Sequence, residues 1–215
     1  PATVTLAGDS SVDNTIDFGF ITGTASTCPA GTTNYLAFTG GTSALNGTPG
    51  NIRTFTVNGI SAKVSAFSRN KSTGVWSTAW LGHYSAGLGV TNIYESSADP
   101  DHRTDNVGSN VDYVLFEFNT TITPNQVFLD YIGRDSDMHA WIGNVTNVYN
   151  AHQTLSDAFL TGLGFDEDNL GVGSIQSRWA DINGSNRAGN VLVISAKPTD
   201  GEDEFKISKL DIRCQ

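Results

Sequence analysis

The chain has 215 residues, with 12 Lys and Arg against 22 Asp and Glu, for a formal net charge of −10. Such acidity repels a phosphate backbone and argues against a nucleic-acid partner. No apolar run reaches the ~20 residues of a membrane helix. Only 16% of residues are charged, so polarity rests on Asn, Ser, Thr and Gly, a pattern frequent in secreted β proteins.

Residues 1–50 are rich in Gly, Thr, Ser and Asn, with short apolar clusters such as TIDFGFI and NYLAF. They read as a loop-rich segment with edge strands, or as an assembly arm. From residue 51 the apolar/polar alternation sharpens. RTFTVNGISAKVSAF reads as two strands around Asn58-Gly59, a strong short hairpin signal. WSTAWLGHY is a further strand, and the Gly-rich SAGLGVTN reads as a connection. DYVLFEF, NQVFLDYIG after a turn at Thr123-Pro124, and HAWIGNV after Asp135-Ser136-Asp137 follow as separate strands. One short helix is expected within residues 152–163, where Leu155, Phe159 and Leu160 share a face and Gly162 can end it. GNVLVISAKP and EFKISKLDI close the chain as strands. The expectation is a single all-β domain, an antiparallel sandwich of jelly-roll type holding most of residues 51–213.

Two cysteines, Cys28 and Cys214, have no zinc-type spacing. They are expected to form a disulfide, which ties the C-terminal strand to the N-terminal region and implies an oxidising compartment. The other reading is two thiols. No signal peptide is visible, as expected of a trimmed, mature product.

Catalytic patterns are weak. LAGDSS offers Ser10 as an esterase-like nucleophile, and Asp99 to His102 matches a dyad spacing. The alternating strands and helices of that enzyme fold are missing. Glu95, Glu117, Asp130 and Asp137 are candidate glycosidase carboxylates, but any acidic chain offers such pairs. His83, His102, His139 and His152 form no ligand-spaced pair. The DED at 166–168 and the EDE at 202–204 read as solvated loop charges. The chain is therefore read as non-catalytic, with a secreted hydrolase as the weaker alternative.

The densest chemistry lies at residues 95–112, where Glu95, Asp105, Asn106 and Asp112 crowd the mouth of a strand. Calcium takes six to eight oxygens from such turns. Asp105 and Asp112 are the expected carboxylate ligands and Asn106 an amide or backbone ligand. Glu95 and Asp137 are second choices. Plain turn formation by Asp and Asn is the competing explanation. Among aromatics, Trp80 and Trp141 read as core and Trp76 as an exposed face for stacking a sugar. Asn-x-Ser/Thr sequons occur at Asn46, Asn70, Asn119, Asn144 and Asn183.

LGHYSAGLGVTNIYE, DHRTDNVGSNVDYVLFEF and VFLDYIGRDSDMHAWIG together resemble bacterial exosortase-dependent surface proteins of the PEP-CTERM type. The shared features here are Gly87–Asn92, Glu95, His102 to Asn106, Asp112 before Leu115–Phe118, and Asp135–Asp137. The likeness spans roughly residues 51–214. It implies a secreted protein of the cell surface or biofilm matrix. Edge strands and the loop-rich first 50 residues, able to add to a neighbour's sheet, make a self-assembling structural component the expected role, with copies of itself or extracellular polysaccharide as partners. A calcium-dependent carbohydrate-binding module is the alternative. The C-terminal sorting tail of such proteins is not seen before Gln215, which leaves the anchoring route open.

Overall fold

A computed structural model describes residues 28–44, 46–95, 102–171 and 173–215. The TIDFGFI strand, Ser10, and Asp99 of the dyad lie outside the described residues. The strands are β1 (Thr33–Ala37), β2 (Arg53–Val57), β3 (Ile60–Asn70), β4 (Trp76–Tyr84), β5 (Gly87–Thr91), β6 (Thr104–Asp105), β7 (Asn110–Asp130), β8 (Met138–Gly143), β9 (Asp166–Asn169), β10 (Arg178–Asp181), β11 (Gly189–Ala196) and β12 (Glu204–Cys214). One helix, α1, spans Asp157–Leu163. The all-β expectation with one short helix is met, and every ladder between these strands is antiparallel. No helix among the described residues is long and apolar enough to cross a membrane.

Local chemistry explains most elements. Asn58 and Gly59 adopt φ of 46° and 81°, the paired left-handed conformation of a tight hairpin turn, and join β2 to β3 at Val57↔Ile60. Ser156 caps α1 by accepting from the Phe159 amide, and Gly164 at φ 78° ends it. The helix therefore runs through Gly162, the expected stop, because the left-handed position falls two residues later.

The long strand β7 organises the sheet. Its first half pairs with β3 (Phe116↔Val64) and with β11 (Leu115↔Val193). Its second half pairs with β12 (Val127↔Leu210) and β10 (Phe128↔Trp179). The ladder runs from β7 through β3, β4, β5 and β12 back to β7, a barrel-like closure. The expected turn at Thr123-Pro124 is not there. Pro124 instead lies inside β7, opposite Ile212 and beside a register shift in β12. At such an irregularity the missing proline N–H is tolerated.

Two apolar clusters sit on opposite faces of this sheet. Val114, Phe116 and Phe118 of β7 face the main core with Leu81, Val90, Leu129, Phe205 and Ile207. Each such side chain contributes roughly 1.5–3 kcal/mol on burial. Val111, Tyr113 and Leu115 face the other way, under Leu155, Leu160 and Leu163. Cys28 and Cys214 form a disulfide, which fastens the end of β12 ahead of β1.

Two segments differ from the sequence expectation. SAGLGVTN is not a simple connection but contains the fully buried strand β5. The acidic residues at 166–168 are not loop charges but part of the edge strand β9, paired with β8. The glycines of β5 serve close backbone approach. A Cβ on Gly89 would overlap the His102 carbonyl oxygen, which also accepts a 2.8 Å bond from the buried Lys206 ammonium. Gly89→Ala is expected to cost about 1–3 kcal/mol through overpacking. Thermal melting checks this, and an unchanged midpoint would show that the His102 segment yields freely.

Candidate metal centre

Three elements bring carboxylates together at one end of the main core. Asp112 is the third residue of β7 and shares the inward face of Val114 and Phe116. Asp105 ends β6, which is held to β12 by Thr104↔Phe205. Glu95 closes a turn after β5. There the Asn92 amide donates to Glu95 Oε2 at 3.1 Å, and the Glu95 amide donates back to the Asn92 carbonyl at 3.2 Å. One ligand oxygen from each of Glu95, Asp105 and Asp112 lies within 4.8 Å of the others. Two oxygens each ~2.4 Å from one calcium ion are at most that far apart.

Asp112 is 0% exposed. Its Oδ1 accepts from Asn92 Nδ2 at 3.2 Å, while Oδ2 has no hydrogen-bond partner among the described residues. Burial pushes its carboxyl well above the usual range, and the Asp105 and Glu95 charges push the same way. Hydrogen bonding from the Asn92 side chain, and then from the Asp105 backbone, opposes them. Every candidate ligand atom here is a hard carboxylate oxygen.

The expected ligand set therefore divides. Glu95, Asp105 and Asp112 do converge. Asn106 and Asp137 do not join them, because Asn106 turns to the opposite side. Its Nδ2 donates to Asp203 Oδ2 at 2.6 Å and to the Lys197 carbonyl at 2.8 Å, and its Oδ1 accepts from the Asp203 amide at 2.9 Å. Asp137 belongs to a second group with Asp135 and Asp203, also within 4.8 Å. Asp203, read from the sequence as a solvated charge, is 1% exposed. Its Oδ1 accepts from the Asp137 amide at 2.9 Å. Its carboxyl is pushed up to about 8 by burial and by the neighbouring Asp200.

This second group has cations of its own. Lys197 Nζ lies 3.0 Å from Asp200 and 3.7 Å from Asp137. Arg178, in the field of Asp137, Asp135 and Asp203, donates to Ser136 Oγ at 2.8 Å. Both groups could hold a metal ion. Asp112 sets the first apart, since it keeps a buried oxygen that no described residue satisfies.

Other sequence candidates fall elsewhere. Glu117 is buried and accepts from the Gln153 amide at 2.8 Å, with His152 Nδ1 at 2.6 Å. Asp130 accepts the Ser177 hydroxyl at 2.5 Å, at the far end of β7. Trp76 is not an open stacking face. It is half-buried, and its Nε1 donates to Asp157 at 2.9 Å. Trp80 and Trp141, expected in the core, are only half-buried. Asn183 is buried with its amide bonded to the Pro124 and Arg187 carbonyls, so its sequon is closed in the folded chain. The residues missed in the sequence are Asn92 and Asp203. Asp203 was findable, because it shares the inward parity of Phe205 and Ile207 in β12.

No family model matches the chain, and no curated protein matches it. A solved rhamnosidase from Klebsiella oxytoca, with rhamnose bound, is similar over 70% of this chain at 10% identity and a TM-score of 0.34. The match spans 29% of that structure's length, and likeness at this level carries no argument.

Proposed function

We propose that this chain is a secreted, non-catalytic domain of a cell-surface or biofilm-matrix protein, locked by a calcium ion at Glu95, Asp105 and Asp112. In this reading the domain is a jelly-roll-like sandwich, with β7 passing from one layer to the other. The observation that carries the metal is Asp112, a fully buried carboxylate beside two others, with one oxygen that no other described residue hydrogen-bonds. Leaving such a group uncompensated costs several kcal/mol, whereas a divalent cation converts the repulsion into attraction. The Cys28–Cys214 bond and the resemblance to exosortase-dependent proteins support the extracellular setting. A structural role fits a cation used to fasten Glu95 and Asp105 to the end of the core.

The test is thermal melting in calcium against EDTA. At one hundred times its Kd, calcium is expected to add roughly 2.7 kcal/mol, a rise of several degrees. Without metal, the raised Asp112 carboxyl binds a proton more tightly in the folded chain than in the unfolded one. That contribution is fully present below the ordinary carboxylate range and is lost as pH rises through the elevated folded value. Calcium must displace that proton, so its stabilisation grows as pH rises above the ordinary carboxylate range. Asp112→Asn should melt no lower than the metal-free parent and lose the calcium response. Identical curves in calcium and EDTA, with no metal found by elemental analysis, would leave turn formation as the explanation of the cluster.

A further inference from the structure

The face of the sheet opposite the metal cluster carries an open groove of about 500 Å³. Its residues come from separate elements. Tyr113 of β7 forms part of the floor, and Trp141 and His139 of β8 form one wall. Leu160, Thr161 and Gly164 of the α1 segment form the other, with Pro198 nearby. Arg69 and Asp157 close one end and Asp166 another part of the rim. The volume is within the ~300–1,000 Å³ typical of small-ligand sites.

The sheet register fixes this array. Trp141 of β8 is directly opposite Asp166 of β9. Directly paired antiparallel residues place their side chains on one face, with Cβ atoms about 4.5–5.5 Å apart. An aromatic ring and a carboxylate with 63% of its side chain exposed thus stand side by side. The neighbouring row runs Tyr113, Ser195, His139, Asp168 across β7, β11, β8 and β9. His139 packs on Trp141 at 4.0 Å between ring centres, and Tyr113 lies 5.8 Å from Trp141. His139 Nδ1 is hydrogen-bonded to Asp168 at 2.5 Å, while the Asp166 carboxylate lies 3.2 Å from Nε2 without hydrogen-bond geometry. Arg69 grips Asp157 with two bonds, 2.7 and 2.9 Å. In that row the Ser195 hydroxyl is fully buried and has no partner among the described residues.

We infer that this groove binds a neutral oligosaccharide, with Trp141 stacking on a sugar ring and Asp166 accepting its hydroxyls. A pyranose presents a face of C–H bonds to an aromatic ring and a rim of hydroxyls to planar polar groups. Trp141 with Asp166, and Arg69 with Asp157, supply both at fixed spacing. The charge selects the class of sugar. On its lining Asp157 and Asp166 outnumber Arg69, so an acidic polysaccharide is repelled. The groove lies on the other face of β7 from Asp112, and the inference stands whether or not calcium binds there.

The experiment is an array of neutral oligosaccharides, built from glucose, galactose and mannose units, probed with the whole chain in calcium. Acidic uronate polymers and a lysine-rich peptide are included, and hits are followed by titration calorimetry. Binding to a neutral oligosaccharide is expected, weakened about tenfold or more by Trp141→Ala. Asp166→Ala, at an exposed edge position, should weaken it several-fold without lowering the melting temperature. Trp179→Ala, an exposed tryptophan on β10 outside the groove, should leave it unchanged. The inference is overturned if no neutral sugar binds, if only the uronate or the peptide binds, or if Trp179→Ala and not Trp141→Ala abolishes binding.

Discussion

Reducing the Cys28–Cys214 bond is expected to destabilise the domain by up to about 5 kcal/mol, the chain-entropy value for a loop this long. The separation is 186 residues, so the bond constrains nearly all of the unfolded described chain. For a domain of this size that corresponds to a melting shift of about 10–20 °C. The structure also says where the loss concentrates. β1 is an edge strand held to β12 by one ladder, Thr33↔Arg213 to Ala37↔Lys209. Beyond it, Gly31 N donates to the Cys214 carbonyl at 2.8 Å, and Cys214 N to the Thr32 carbonyl at 3.0 Å. Those bonds persist without the cystine but no longer have a covalent anchor, so β1 should fray first in hydrogen exchange. Phe38, fully buried at its end, should then become accessible. Two alkylated thiols in the native, unreduced protein would refute the bond. A reduced protein melting with the oxidised one would show that the ladder alone secures β1.

Legibility in the sequence followed how local each feature is. The hairpin at Asn58-Gly59 was readable because a two-residue turn and its flanking alternation lie within fifteen residues. β5 was not, because glycines in a strand look like a loop until the packed backbones are known. Gly87 abuts the Ile207 carbonyl and Gly89 the His102 carbonyl, partners more than a hundred and about a dozen residues away respectively. Asp112 was readable because it borders a long apolar strand, and Glu95 and Asp105 because they are close in sequence. Asn106 was misassigned because adjacent residues after a strand point to opposite sides. Its real partner, Asp203, is 97 residues distant. The placing of Trp76 and Trp141 was hidden for a similar reason. Each lies in an apolar strand, and only the arrival of α1 over the sheet decides which ring it leaves facing a groove.

Asp203→Ala is expected to lower stability by about 3 kcal/mol, although EDE looks from the sequence like a solvated charge run. The substitution removes an acceptor from two donors at once. Asn106 Nδ2 loses its 2.6 Å acceptor and the Asp137 amide its 2.9 Å acceptor. Each unsatisfied buried group costs about 1–3 kcal/mol. The same contacts join three distant segments. The Asp135↔Asp203 bridge and the Asn106 bonds hold the 135–137 turn and the 102–106 segment against the start of β12. A midpoint about 6–12 °C lower is therefore expected in EDTA. The pH dependence separates this network from a general loss of packing. The Asp203 carboxyl is pushed up to about 8, chiefly by burial and then by Asp200. A group raised in this way stabilises the fold while protonated. Parental stability should therefore fall as pH climbs from the ordinary carboxylate range through about 8. Asp203→Ala should flatten that slope while lying below the parent throughout. An alanine variant that melts with the parent and keeps the slope would return Asp203 to solvent and dissolve the network as a structural element.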